Sequence, residues 1–257
     1  MELFLNRPRI LIATCLLGLL AGGLAVKYFC FPSVDERYFS SDYQQLQHAP
    51  PGFFILRPTH FHHATKPGCA MTWTMYGPSD IVPRFSGQDA NIGQIFAIAY
   101  DCPPARLILP VDLPARRYDL LVTVREKPAE KLQAKLTSTL GCVASWQQQE
   151  MQVWQLKAIP GKLSPSPAVA SQEGLLNGRL RLTHVPVSRL LEFLESALGK
   201  PVEDRTGLTG YYDFSLPASW RNQQAKEPEI EDGLAQCGLT MEPVAASTPV
   251  LVVSHVQ

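Results

Sequence analysis

The sequence predicts an α+β protein in which an N-terminal transmembrane helix precedes two tandem βαβ-type units, helices packed on small sheets. Three observations predict it. An uncharged run fills residues 10–26, between Arg9 and Lys27. After it, one order occurs twice: helix, proline-containing loop, strand beginning Tyr-Asp, proline-opened helix, glycine, two strands. Between the two occurrences, residues 160–178 hold proline, serine and glycine with no apolar period, the mark of a linker.

The run of seventeen apolar or small residues reaches roughly 26 Å as a helix, close to the hydrocarbon thickness of a bilayer. Lys27 can snorkel, and Tyr28, Phe29 and Phe31 suit the membrane–water interface. The length favours an uncleaved anchor over a cleaved signal peptide, for which Gly23 and Ala25 supply the small residues. Arg7 and Arg9 on a short tail favour a cytoplasmic N-terminus with the remainder exported. The expected organisation is a signal anchor at 1–31, a stalk at 32–51 ending in Pro50-Pro51, a first α+β unit at 52–159, the linker, and a second unit at 179–257.

Composition narrows the partners. The 257 residues carry 23 basic and 23 acidic side chains and are 46% hydrophobic, a globular profile. With no net charge and no basic block, there is no electrostatic footprint for nucleic acid. The expected partners are the membrane and an envelope protein. Of six cysteines, Cys15 and Cys30 belong to the anchor and its edge. Cys69, Cys102, Cys142 and Cys237 form no Cys-x-x-Cys pair, which leaves disulfides of an exported domain or small buried thiols as equal readings.

Along the first unit, Phe53 to Leu56 reads as a short strand. Residues 70–76 alternate, with Met71, Trp73 and Met75 on one face, read as core. Ile92, Ile95, Phe96, Ala99 and Tyr100 line one side of a helix that Asn91 caps. Tyr118 to Val124 is a strand. Pro128 opens a helix with Ala129, Leu132, Leu136 and Leu140 on its seam, and Gly141 ends it. Strands at 143–146 and 151–157 follow, separated by a turn of glutamines. In the second unit Leu180 and Leu182 belong to a strand. Val187, Leu190, Leu191, Leu194, Ala197 and Leu198 make an amphipathic helix closed by Gly199. Residues 211–216 form a strand, Pro228 opens a helix stopped by Gly238, and strands at 239–244 and 250–256 finish the chain.

The run from Gly199 to Phe214, with Pro201-Val202-Glu203-Asp204-Arg205-Thr206-Gly207-Leu208-Thr209-Gly210 and Tyr212-Asp213-Phe214, resembles the soil-associated bacterial proteins of unknown function. Members carry a similar Pro-Val-x-Asp-x-Thr-Gly-Leu-x-Gly-x-Tyr-Asp-Phe stretch and end in an apolar strand, as Val250 to Val253 does. The likeness covers roughly residues 52–257, without a counterpart at 59–87 and without the tryptophan expected after Pro110. Each half also resembles the short N-terminal domain of secretins and TonB-dependent receptors. That resemblance implies protein contact at the cell envelope, and neither resemblance implies a catalytic residue or a cofactor.

Candidate chemistry is sparse. His60 and His62 would share a strand face, with His63 beside them, but a zinc site needs a third ligand brought from His184, His255 or an acidic group. No nucleophile elbow, His-Glu-x-x-His or phosphate loop occurs. Asp204, Arg205, Thr206, Gly207, Thr209 and Gly210 are the candidate binding residues, although turn chemistry alone accounts for these types. Glu192 and Glu195 fall on the polar side of their helix. The expected function is a non-catalytic, membrane-anchored interaction module that accepts a strand on an open sheet edge. The alternatives are a metal-dependent envelope hydrolase built on the three histidines and a small-molecule binder in the groove between units.

Overall fold

The chain divides into two compact units, Met1–Tyr38 and Phe39–Gln257. The computed structural model describes residues 36–61, 67–77, 80–222 and 227–256. Of the first unit this includes a 3-10 turn, Glu36–Tyr38, with the Arg37 guanidinium 5.1 Å from the Tyr38 ring centre. The expected membrane span at 10–26 lies outside the described residues. Among those described, no helix is long and apolar enough to cross a membrane. The fold class is corrected accordingly: the described residues form an α+β protein of three sheets and five α-helices, with no transmembrane helix.

The second correction concerns the tandem arrangement. In chain order the elements are α1 (Tyr43–Gln47), β1 (Phe54–Pro58), β2 (Gly68–Gly77), β3 (Asp80–Asn91), α2 (Ile92–Ala99), β4 (Leu107–Ile108), β5 (Arg117–Val122), α3 (Pro128–Leu140) and β6 (Cys142–Ala158). They continue as β7 (Gln172–Leu176), β8 (Arg179–Val185), α4 (Val187–Leu198), β9 (Val202–Asp204), β10 (Tyr212–Pro217), α5 (Glu227–Gln236) and β11 (Leu239–His255). The sheets run β1-β5-β3-β2, β10-β8-β7 and β4-β11-β6-β9. The third of these takes strands from both halves. β6 and β11 pair antiparallel along their whole length, Cys142 opposite His255 to Ala158 opposite Leu239. The short strands cross over: β4 of the first half lies parallel to β11, and β9 of the second lies parallel to β6.

The glutamine stretch is therefore no turn. Gln147, Gln148 and Gln149 face Val250, Pro249 and Thr248 within the ladder, so one strand runs where two were expected, and the same holds for β11. Pro243 and Pro249 are tolerated because, among the described residues, β11 has a neighbour on its other side only at Leu251 and Val252.

The pairing is that of two interlocked copies. Exchanging β6 with β11 about the Glu150–Ser247 pair leaves the ladder unchanged. Under the same exchange Leu107 opposite Leu251 becomes Val202 opposite Trp154. Phe85 opposite Val122 becomes Leu180 opposite Leu216, and Met71 opposite Phe85 becomes Leu175 opposite Leu180. Gly141 and Gly238 (φ +64 and +77) each turn a helix into a long strand, in the left-handed region that glycine enters without a Cβ clash. Their carbonyls accept from the N–H groups of Val256 and Ile159 respectively, each at the far end of the other copy's long strand.

The Tyr-Asp pairs explain why both copies bend alike. In each copy two residues bulge opposite one aspartate, Gln88 and Asp89 against Asp119, Thr183 and His184 against Asp213. The second bulge residue has positive φ, +48 at Asp89 and +53 at His184, and donates its N–H to that aspartate at 3.3 and 2.8 Å. A hydroxyl joins each: Thr59 donates to Asp119 at 2.7 Å, and Ser166 bonds Asp213. Tyr118 and Tyr212 point the other way, into two separate cores. The bulge ends the strand and aims the chain into α2, whose capping box pairs Asn91 with Gln94, and into α4.

Each core is closed by both long strands. Cys142 from the start of β6 and Val253 from the end of β11 join the first; Leu239 from the start of β11 and Leu156 from the end of β6 join the second. Residues 39–49, expected in a stalk, instead fold on the first sheet, with Phe39, Leu46 and Ala49 buried. Residues 160–178, expected as a linker, hold β7 and a bridge from Pro165 to Tyr212.

The Ser166 hydroxyl and the His184 N–H hold the Asp213 carboxyl below its usual range. A depressed folded value means the aspartate stabilises the fold above its unfolded pKa, about 3.9, and that this contribution fades as pH falls through the folded value. Urea denaturation of wild type and Asp213→Asn is expected to differ near neutral pH and to converge in strong acid.

Candidate interaction surface

The first copy carries a part the second lacks. In the second copy the β7–β8 pair stops at Leu176 opposite Arg179, joined by Asn177 and Gly178 in the left-handed region. The equivalent pair in the first copy is Thr72 opposite Arg84, and there the ribbon continues through Trp73–Pro83, Thr74–Val82 and Met75–Ile81. One face of this extension is covered. Thr72, Val82 and Arg84 are buried beside α1, with Gln47 donating to the Thr72 hydroxyl at 3.4 Å. Arg84 donates to the Ala49 carbonyl at 2.7 Å, just past the end of α1.

The opposite face is open. Trp73, Met75 and Ile81 are 55, 68 and 53% exposed. The expectation that Met71, Trp73 and Met75 all line a core is therefore corrected: Met71 packs on the first core, and the other two lie beyond its rim. Among the described residues no strand pairs with the outer side of β2, and its ten residues include no charge and no proline. Sheets commonly blunt such edges with lysine, proline or a bulge. β7 is the edge of its own sheet, with Leu175 and Leu176 about half exposed.

The other candidates resolve as follows. His62 and His63 lie outside the described residues; His60 is exposed, its N–H donating to Asp119 at 2.8 Å. No group of three or more metal-ligating side chains occurs among the described residues. Asp204 accepts the N–H and hydroxyl of Thr206 at 2.8 and 2.7 Å, and the Thr206 hydroxyl accepts from Leu208. Arg205 pairs with Glu203, and the Thr209 carbonyl accepts the Tyr212 hydroxyl at 3.2 Å. Gly207 and Gly210 take φ of +68 and +109. The loop's polar groups thus largely serve its own turns.

Glu195, expected in solvent, is buried. One of its oxygens accepts Arg106 Nε and Nη2 at 2.8 and 2.6 Å and the Val202 N–H at 2.9 Å. Arg106 also donates to the Thr248 hydroxyl and the Val202 carbonyl, both at 2.9 Å. This buried pair ties the loop before β4 to α4, β9 and β11. Removing one member of such a pair costs about 3–5 kcal/mol, because the other is left charged without compensation. The sequence gives no sign of it, since the partners are 89 residues apart.

Cys142 Sγ lies 3.6 Å from His255 Nδ1, and His255 Nε2 lies 3.0 Å from Asp112. The set has the order of a thiol nucleophile with its base and orienting carboxylate. Cys142 is fully buried and desolvation raises its pKa, so the sulfur stays protonated and out of reach. All four described cysteines are free thiols.

The fold and surface define the class: an internally duplicated, interlocked α+β protein with an apolar, open-edged extension on its first copy. Residues 93–256 match DUF3738, a family of proteins of unknown function, and the chain belongs to that family. The match starts within α2, so the extension lies ahead of it. No curated protein and no solved structure is significantly similar to the chain.

Burial pushes the Cys69 thiol up to about 12 and the Cys102 thiol up to about 11. Alkylation of the folded protein near pH 8, read by peptide mass, is expected to leave both unmodified, and denaturation is expected to make both react.

Proposed function

We propose that this chain is a non-catalytic protein-interaction module of the cell envelope that takes an extended segment of a partner protein onto the outer edge of β2. The observation that carries the reading is the extended ribbon with its charge-free edge strand β2, exposing Trp73, Met75 and Ile81 beyond the duplicated framework. Strand addition supplies main-chain hydrogen bonds, and alternate side chains of the incoming segment lie against the apolar face. Tryptophan and methionine suit that role, one as a rigid anchor and the other as an adaptable filler. The likeness of each half to the short N-terminal domain of secretins and TonB-dependent receptors supports a role in contact at the envelope. Placement outside the cytoplasm belongs to the same proposal and rests on the apolar run at 10–26.

Two measurements test it. Selection of random linear peptides on the purified protein is expected to enrich extended segments with alternating apolar residues. Bound peptide is expected to slow amide exchange along β2 and to lose at least roughly tenfold in affinity on Trp73→Lys with Met75→Lys, since charge on such a face opposes pairing. Failure to enrich any peptide, or equal binding by the lysine variant, contradicts the docking site. Protease added to intact spheroplasts is expected to digest residues 39–257, and full protection contradicts the placement.

A further inference from the structure

The two copies differ at one equivalent spot beside the bulge. In the second copy the residue before the Tyr-Asp pair, Tyr211, stacks on the bulge residue His184, with ring centroids 4.4 Å apart and planes within 8°. The first copy has Arg117 and Asp89 in those places. Arg117 donates to the Asp89 carbonyl at 2.9 Å, and its nearest approach to the Asp89 carboxylate is 3.9 Å. In place of the paired rings there is a cleft of about 480 Å³, lined by Pro58, Thr59, Asp89, Arg116 and Arg117.

We propose that this cleft binds a planar organic carboxylate, its flat body taking the place that the His184–Tyr211 stack fills in the second copy and its charge held by Arg116 and Arg117. The volume falls in the usual range for small-molecule sites. A guanidinium is a flat fork that matches a carboxylate with two parallel hydrogen bonds. Arg116 has no hydrogen-bond or ion-pair partner among the described residues, so its donors are available. The floor is already fixed: buried Asp119 holds the Thr59 hydroxyl and the N–H groups of His60 and Asp89, and the Thr59 oxygen accepts from Phe61. A rigid floor spares the ligand the cost of ordering the site. Asp89 sets the selectivity. Two guanidinium groups against one carboxylate favour a singly charged anion over phosphate.

Calorimetric titration of the purified full chain with sodium benzoate, and separately with sodium phosphate, at constant ionic strength tests the assignment. Saturable benzoate binding on the order of millimolar is expected, as suits a fragment of this size. Arg116→Ala, a change on an exposed and unpartnered side chain, is expected to weaken it roughly tenfold. Asp89→His with Arg117→Tyr, which copies the second half's ring pair into the first, is expected to abolish it. Absence of saturable benzoate binding, benzoate binding unaltered in either variant, or phosphate displacing benzoate at equal concentration would each overturn the proposal.

Discussion

From Cys142 to Ala158 every residue of β6 faces a residue of β11, and both halves of the molecule hang from that ribbon. Its ends lie in different cores, so neither core is complete without strand from the other half. The crossing of β4 and β9 onto the partner copy's long strand and the buried Arg106–Glu195 pair reinforce the same constraint. A duplicated sequence would ordinarily fold as two beads. Here each copy leaves one long strand half covered, and only the other copy covers it.

On this symmetric framework the departures from symmetry carry the information. The first copy has a longer β2–β3 ribbon, a covering segment at 39–49, and an open cleft where the second has stacked rings. The repeated framework accounts for none of these, and two of them are exposed. An apolar face at the rim of a sheet and a pair of arginines beside a hydrogen-bonded floor both lie open to solvent.

Much of the local structure was legible in the sequence, because its causes are local. Asn91 before the Ile92, Ile95 and Phe96 period, Pro128 with Gly141, and the stripe of Val187, Leu190 and Leu194 mark three helices through capping and period alone. The Tyr-Asp pairs marked the repeat, although the bulge that makes them matter needs a partner strand. What stayed hidden depends on distant contacts. The glutamines of β6 read as a turn because only β11 makes them strand, and Glu195 read as solvated because Arg106 comes from another part of the chain. Alternation at Met71, Trp73 and Met75 gave the face correctly and left unsaid that the core ends after the first of them. The candidate residues at 204–210 were visible as a motif for the same local reason, whereas the cleft at Arg116 and Arg117 appears only when the copies are compared.

Interlocking is the claim beneath all of this, and native-state hydrogen exchange tests it directly. Amides of β6, β11 and both cores are expected to open together, at one shared free energy, as denaturant is raised. Loss of protection in residues 179–257 at a distinctly lower free energy than in β3, β5 and α2 would mean two independent units and would contradict the account.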